Sequence, residues 1–292
     1  MSKIKGIYAA SLTILNDDLS LNVAKTVNHC EKLIEDGCHG IVIFGSTGQS
    51  QLLPISEKIN LINKLSTHKY RDKFIIGTGL NSLVETINFL KVSCSLKFKK
   101  FLIMPPAYYK YGHQDVINFY SKIIEVVPNC EIVLYNYEKL SGYKFSIDTV
   151  EILVKKFPKQ IIAIKDSSGN IFESLKISNF SILPGSETQL IKGLELGCSG
   201  IITATCNVTA NLARKVYDDF IDRKKQSFNQ KLCEVRNLFE KYNLISSLHS
   251  YYMKEDEIYK NVLPPLHLLT KDETDELNLG LKNINFEKKV MV

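Results

Sequence analysis

The chain has 292 residues, of which 45% are hydrophobic and 23% are charged, so it can bury a core and is not a disordered protein. Its length fits one (β/α)₈ barrel of about 250 residues with a further segment. No apolar run approaches the ~20 residues that cross a bilayer, and the N-terminal sequence has no long apolar segment before a cleavage site. We therefore expect neither a membrane protein nor a secreted one.

The net charge of +6 is modest and scattered. The one compact basic stretch, residues 97–100, precedes an apolar strand and is typical of a solvated loop rather than of a nucleic-acid surface. A mildly positive field also suits small anionic substrates. The seven cysteines are odd in number and form no C-x-x-C motif, which predicts reduced thiols in a cytoplasmic protein.

Eight short apolar segments rich in β-branched residues predict strands that are buried on both faces. They span residues 4–9, 40–44, 74–77, 101–104, 132–135, 161–164, 181–183 and 200–203. Helix-length segments with apolar residues at i, i+3, i+4 spacing lie between them. Helix-start signals stand at Pro54, Ser82 and Ser146. Strands that alternate with helices indicate parallel pairing.

Eight such units predict an α/β fold of the closed (β/α)₈ TIM barrel type. The alternative, an open doubly wound sheet, would need a glycine-rich phosphate loop after the first strand, and residues 8–13 do not form one. After residue 222 the alternation stops, and residues 224–244, 246–260 and 272–283 are predicted to be helical. We expect a barrel over residues 1–222 and, over residues 223–292, a C-terminal helical extension that packs on the barrel or on a partner subunit.

In a barrel the active site lies where the strands end, so the residues at those positions are the candidates for chemistry. Lys165 follows the apolar run 161–164. A lysine among isoleucines loses the hydration of its charged form, which favours the neutral amine that attacks a carbonyl to form a Schiff base. The alternative is a lysine at a strand end that extends to solvent.

The surroundings of Lys165 favour the first interpretation. Tyr135 ends the neighbouring strand, and its phenol is placed to move protons. Ser46 and Thr47 stand in a glycine-flanked loop whose backbone N–H groups suit a carboxylate. Tyr135 as a core residue and the loop as a simple turn are the alternatives. Together these residues predict a keto-acid enzyme that works through an imine.

Other chemistries find little support in the sequence. The six histidines form no H-x-H or H-x-x-x-H pair and none ends a strand, so we expect no metal site. A G-x-S-x-G nucleophile motif and a phosphate-binding P-loop are both absent from the sequence.

Five motifs, taken in order, resemble those of the dihydrodipicolinate synthase / N-acetylneuraminate lyase superfamily of class I pyruvate-dependent aldolases. They lie at residues 45–48, 77–82, 105–109, 135–136 and 164–169. The resemblance implies a (β/α)₈ barrel without a metal or an organic cofactor, since the imine forms on the enzyme's own lysine. It also implies a keto acid and an aldehyde as substrates and a homotetramer built as a dimer of dimers.

The resemblance implies roles for individual residues. Lys165 matches the Schiff-base lysine and Tyr135 matches the proton-shuttling tyrosine. Ser46 and Thr47 match the pair that binds the pyruvoyl carboxylate, with Thr47 also in the proton relay. Ile202 matches the backbone position beside pyruvate.

The resemblance also implies a tyrosine that reaches across the dimer interface into the active site of the neighbouring subunit. Tyr109 is its counterpart, although Ala107 lengthens the usual motif, so that Tyr108 is the alternative.

One departure bears on the second substrate. In dihydrodipicolinate synthases, which this sequence resembles, the motif Tyr-Asn-x-Pro-x-Arg follows strand five, and its arginine binds the carboxylate of the aldehyde. Here Leu140 stands in the arginine's place and Glu138 in the proline's, while Lys139 is one position off. Residues 140–142 are more similar to neuraminate lyases, whereas residues 185–187 and 203–208 are more similar to 2-keto-3-deoxy sugar acid aldolases.

We therefore expect a lyase that cleaves or forms a 2-keto-3-deoxy sugar acid, with Ser186, Glu187 and Thr205 as candidates for binding the hydroxyls of the aldehyde. A dihydrodipicolinate synthase with an altered aldehyde site is one alternative. A catalytically silent barrel that binds a keto acid is another.

Overall fold

The computed structural model describes residues 4–286. Its eight strands are all parallel and follow the order β7-β6-β5-β4-β3-β2-β1-β8. Between the two outermost strands, the backbone N–H of Ser199 donates to the carbonyl of Ile182 at 2.9 Å, so the sheet is a nearly closed barrel. The strands are β1 Gly6–Ala10, β2 Gly40–Ile43, β3 Phe74–Gly77, β4 Lys100–Ile103, β5 Glu131–Asn136, β6 Ile161–Asp166, β7 Ser181–Pro184 and β8 Gly200–Thr203.

The helices connect the strands and continue beyond the last one. They are α1 Val23–Glu35, α2 Ile55–Ser66, α3 Leu83–Ser95, α4 His113–Val126, α5 Glu138–Ser141, α6 Ile147–Lys156, α7 Leu190–Glu195, α8 Cys206–Ile221, α9 Asn229–Glu240, α10 Leu244–Tyr252 and α11 Lys271–Asn283. The predicted start signals are confirmed at α3 and α6, where the hydroxyl oxygens of Ser82 and Ser146 accept backbone N–H groups of the first turn.

The (β/α)₈ barrel and its eight strands are confirmed, with strand ends shifted by at most two residues. One connection differs from the predicted alternation, because residues 167–180 between β6 and β7 form turns rather than a helix. The buried Asp166 carboxylate accepts the backbone N–H groups of Gly169, Ile171 and Phe172 at 2.8–3.0 Å. Its side chain holds these N–H groups in turn positions, so they are not used by a helix.

The barrel interior has its own apolar cluster, separate from the larger one between the strands and the outer helices. Val42, Leu102, Val133 and Ile202 belong to the inner cluster, and Tyr135 packs with them near the end of β5. An apolar interior below polar strand ends is the setting expected for the active site of this fold.

The C-terminal extension packs against the barrel. The helix predicted over 224–244 is shorter at both ends, as α9. That predicted over 246–260 is α10 followed by a short 3₁₀ turn, Glu257–Lys260, and that predicted over 272–283 is α11. The Tyr259 hydroxyl lies 2.9 Å from Nδ1 of His29 on α1. The division of the chain at residue 222 stays a prediction, and residues 287–292 of the predicted extension lie outside the described residues. No helix within residues 4–286 is both long and apolar enough to cross a membrane.

Candidate active site

A cavity of about 810 Å³ opens where the strands of the barrel end. Its wall includes Ser46, Thr47, Tyr135 and Lys165, which come from loops or strand ends far apart in the sequence. A volume of this size lies within the range of small-molecule sites.

Lys165 and Tyr135 are direct neighbours across β5 and β6, whose register pairs their Cα positions. Lys165 Nζ donates to the Tyr135 hydroxyl at 3.3 Å and lies 4.3 Å from the centroid of the phenol ring. The two residues are only 3% and 4% exposed. The sequence interpretation in which Lys165 extends into solvent is therefore wrong: its amine ends inside the barrel mouth, beside a phenol.

A chain of hydroxyl contacts continues from this pair. Ser46 Oγ lies 3.0 Å from the Tyr135 hydroxyl, so one phenol oxygen contacts both the lysine amine and the serine. Thr47 follows Ser46, is buried and also lines the cavity. Hydroxyl groups in contact can exchange hydrogen-bond donors and acceptors, so this arrangement can carry a proton toward or away from the amine.

The loop that carries Ser46 and Thr47 is held between two residues with positive φ, Phe44 at 54° and Gln49 at 55°. Backbone conformations of this kind are costly and tend to occur at functional sites. The Gly48 and Gln49 N–H groups donate to carbonyls inside the turn at 3.0–3.1 Å. Among the described residues, the Ser46 and Thr47 N–H groups have no such partner, which leaves them for an anion at the cavity.

Close packing around this loop depends on Gly77, at the end of β3. A Cβ atom added to Gly77 would lie 2.2 Å from the Phe44 carbonyl oxygen, which is backbone and does not yield. The β3 end is therefore pressed directly against the loop, and a larger residue at 77 would displace it.

A buried polar network supports the ends of β5 and β6. Asn136 Nδ2 donates to Asp166 at 2.8 Å and to Asn170 at 2.9 Å, and Asn136 Oδ1 accepts the Phe145 N–H at 3.1 Å. Since Asn136 and Asp166 directly follow Tyr135 and Lys165, these bonds fix the strand ends that carry the reactive pair.

The cavity wall also contains Arg236, a residue of α9 that the sequence analysis did not single out. Its Nη1 atom contacts Glu187 at 3.4 Å and donates to the hydroxyls of Thr203 at 3.0 Å and Thr205 at 3.2 Å. Its Nε and Nη2 atoms each donate to Glu240 at 3.1 Å. Burial alone would lower the pKa of Arg236, but the charge of Glu187 and the contact with Glu240 raise it instead.

The predicted aldehyde-binding residues are placed unequally. Ser186 lines the cavity. Glu187 and Thr205 are fully buried and bound to each other at 2.7 Å, behind the wall rather than on it. Ile202 is buried in the same interior cluster as Tyr135.

The tyrosine predicted to be lent to a neighbouring subunit lies on the surface of the single chain. Tyr109 is 76% exposed and Tyr108 more so, and their rings meet edge to face at 5.0 Å. Neither lines the cavity in the described chain.

Arg236 carries little signal in the sequence. An arginine four residues before a glutamate is typical of a solvated ion pair on a helix surface. Tyr137 also lines the cavity, and it is visible in the sequence only as the second residue after Tyr135.

Comparison with known proteins agrees with this geometry. The family model described as the dihydrodipicolinate synthetase family matches residues 3–284. An uncharacterized DapA-like lyase of Chloroflexus aurantiacus is 25% identical over 97% of this chain and 98% of its own. A 4-hydroxy-tetrahydrodipicolinate synthase of Listeria monocytogenes is 28% identical over 73% of this chain and 75% of its own.

Solved structures show the same fold. A dihydrodipicolinate synthase of Bacillus anthracis superposes with a TM-score of 0.88 at 24% identity, over 97% of this chain and 99% of that one. YagE from E. coli K12, solved in complex with pyruvate, superposes with a TM-score of 0.89 at 22% identity, over 97% and 99% of the two chains. Since the family model matches nearly the whole chain, this chain belongs to the dihydrodipicolinate synthetase family and is a carbon–carbon lyase of the aldolase type.

Proposed function

We propose that the chain is a class I pyruvate-dependent aldolase that cleaves or forms a 2-keto-3-deoxy sugar acid. The observation that carries the proposal is the contact between Lys165 Nζ and the Tyr135 hydroxyl, deep in a cavity large enough for a sugar acid. An amine that lies beside a proton-transfer group at the end of an apolar barrel interior is suited to imine chemistry. The complex of the similarly folded E. coli protein with pyruvate adds support for the keto acid.

In the proposed reaction the Lys165 amine attacks C2 of pyruvate, and water leaves as the imine forms. Loss of a proton from C3 gives an enamine, whose C3 attacks the carbonyl carbon of the aldehyde. The new alkoxide takes a proton, and water then hydrolyses the imine to release product and free lysine. Tyr135 is the group placed to give and take protons at the amine, with Ser46 and Thr47 as its relay.

The pyruvoyl carboxylate is proposed to bind at the loop of Ser46 and Thr47. Their backbone N–H groups have no partner among the described residues, and both side chains line the cavity. Two N–H groups together with hydroxyls can hold a carboxylate without a full positive charge nearby. Ile202 is placed by analogy beside the pyruvate, as part of the interior wall.

The aldehyde is proposed to be hydroxylated rather than acidic. Leu140 lines the cavity at the position where the resemblance calls for an arginine, so a carboxylate on the aldehyde has no guanidinium there. Ser186 lines the same cavity and offers a hydroxyl to a sugar chain, while Glu187 and Thr205 lie behind the wall and hold Arg236 in place.

A second candidate is 4-hydroxy-tetrahydrodipicolinate synthesis. The Listeria relative carries that name, and Lys139 lines the cavity, where it offers a cation to the aldehyde's carboxylate. Lys139 is a flexible point charge, whereas an arginine makes a two-pronged contact, so we rank this candidate second.

The assembly and location are also part of the proposal. We expect a cytoplasmic homotetramer in which the exposed Tyr109, or Tyr108, completes the site of a neighbouring subunit. An exposed aromatic pair on one loop is consistent with burial against a partner. No metal or organic cofactor is expected to be needed.

Reductive trapping tests the imine directly. Borohydride added with pyruvate should attach a pyruvyl group to Lys165, which peptide mass mapping would locate, and activity should be lost. Borohydride without pyruvate is the control. An adduct on another lysine, or none, would show that the mechanism is wrong, and trapping without turnover on any aldehyde would favour the silent keto-acid-binding barrel.

A further inference from the structure

We infer that Glu240 determines which aldehydes the site accepts, because its carboxylate occupies N–H groups of Arg236. The site then selects an uncharged, hydroxylated aldehyde and rejects a phosphorylated or carboxylated one. The inference rests on the proposed function, because it concerns the second substrate of that reaction. It goes beyond it by assigning selectivity to a residue pair of the C-terminal extension.

The pair lines the same cavity as the reacting centre. Tyr135 contacts Lys165, and the Tyr137 ring centroid lies 6.1 Å from that of Tyr135. Burial and neighbouring Tyr135 raise the pKa of Tyr137, and the charges of Arg236 and Glu240 act on the same phenol. Tyr137, Arg236 and Glu240 all line the cavity that contains Lys165.

Arg236 has almost no donor left for a substrate. Its Nη1 atom is taken by the buried Glu187 and the hydroxyls of Thr203 and Thr205, while Nε and Nη2 form a two-pronged contact with Glu240. Two carboxylates thus face one guanidinium. A buried arginine with free N–H groups would attract an anion, but the cluster of Arg236 with Glu187 and Glu240 carries two negative charges against one positive charge and so repels one.

The two carboxylates differ in how firmly they hold their place. Glu187 is fully buried and also accepts from Thr203 and Thr205 at 2.7 Å, so it cannot leave. The Glu240 side chain is 55% exposed and is held by Arg236, whose hydrogen bonds lower the Glu240 pKa. Glu240 is therefore the ionised group that an incoming anion would have to displace.

The same carboxylate favours a hydroxylated substrate. Its oxygens each receive one N–H from Arg236, and a carboxylate has further acceptor sites that sugar hydroxyls can use. The Glu240 carboxylate thus attracts the hydroxyls of one aldehyde and repels the anionic group of another, and both effects contribute to the selectivity of the site.

The test compares two aldehydes that differ only by phosphate. Wild type should condense pyruvate with D-glyceraldehyde at a higher kcat/KM than with D-glyceraldehyde 3-phosphate. Glu240→Gln keeps the size of the side chain but removes its charge, so Arg236 becomes available to the phosphate. The ratio of kcat/KM for the phosphorylated over the free aldehyde should rise about ten- to hundredfold. Inorganic phosphate should also inhibit this variant more strongly than wild type.

Asp218→Asn is the matched control. Asp218 pairs with Arg214 at 2.7 Å in the same i, i+4 arrangement, but neither residue lines the cavity. This variant loses the same charge, and its substrate ratio should stay at the wild-type value.

Two results would overturn the inference: a wild type that prefers the phosphorylated aldehyde, or a Glu240→Gln variant whose ratio and phosphate inhibition are unchanged. Failure of the proposed function is seen separately, as the absence of a borohydride-trapped pyruvyl group on Lys165 in wild type.

Discussion

Replacing Tyr135 by phenylalanine separates its catalytic role from its role in packing. The change removes one oxygen, which contacts Ser46 Oγ at 3.0 Å and Lys165 Nζ at 3.3 Å, and it leaves the ring in the inner cluster. Each lost hydrogen bond costs about 0.5–1.5 kcal/mol of stability, so the free energy of unfolding should fall by about 1–3 kcal/mol. A domain with about 5–15 kcal/mol of stability remains folded after such a loss.

The effect on catalysis should be much larger. A group that moves protons in the transition state typically contributes about 10²–10⁴-fold, which corresponds to about 3–5 kcal/mol of activation free energy. The assay is steady-state release of pyruvate from a 2-keto-3-deoxy sugar acid, together with urea unfolding of the same preparation. Since the folded fraction hardly changes, the loss of kcat must come from the chemistry.

Tyr143→Phe is the control for this experiment. Tyr143 is 6% exposed, and its hydroxyl also has two partners, His113 Nδ1 at 2.8 Å and Thr149 Oγ1 at 3.3 Å, but it lies away from the cavity. It should lose similar stability and keep its kcat. If Tyr135→Phe turned over at a rate close to that of Tyr143→Phe, the phenol would be a packing group and the proposed proton transfer would be wrong.

Three further predictions follow from the site and its support. Wild type should condense aspartate semialdehyde poorly, and Leu140→Arg should raise kcat/KM for it about ten- to hundredfold by supplying a charge-assisted hydrogen bond; efficient wild-type condensation would contradict this. Asp166→Ala should lower the free energy of unfolding by about 4 kcal/mol in urea titration, because it leaves buried donors without an acceptor. Burial lowers the pKa of Lys58 to about 8. Between pH 8 and about 10.5 the unfolded chain therefore holds a proton that the folded chain has lost, so the free energy of unfolding should rise with pH. Measured by urea titration over this range, the rise in wild type should exceed that in Lys58→Met by as much as about 3 kcal/mol.

The parts of the fold that the sequence predicts well are those governed by local pattern. Each strand is a short apolar run between turn signals. Because helices separate the eight runs, the strands are predicted to pair in parallel. The contact between Lys165 and Tyr135 was predictable for the same reason, because both end adjacent strands and such ends meet at one rim. Serine caps at α3 and α6 were predictable because the cap needs only the next three residues.

The parts that were missed depend on single side chains acting at a distance. The expected helix between β6 and β7 is absent among the described residues because the Asp166 carboxylate takes three backbone N–H groups, which no periodicity reveals. The role of Arg236 depends on how α9 packs on the barrel, because that packing brings its guanidinium to Glu187, 49 residues earlier in the chain. Sequence spacing alone shows only the local pair with Glu240.

The extension belongs to the active site in a second way, through the loop that is proposed to bind the carboxylate. Gln49 ends this loop, and its Oε1 accepts the N–H of Leu263 at 2.7 Å while its Nε2 lies 3.4 Å from Nε2 of His249. Burial lowers the pKa of His249 to about 4, so the ring is neutral near pH 7. Its Nδ1 lies 2.9 Å from the Tyr259 carbonyl and must carry the proton, which leaves Nε2 to accept from Gln49. Residues beyond the barrel thus support the loop that carries Ser46 and Thr47 and supply Arg236 to the cavity wall, so the site is built from the extension as well as from the strands.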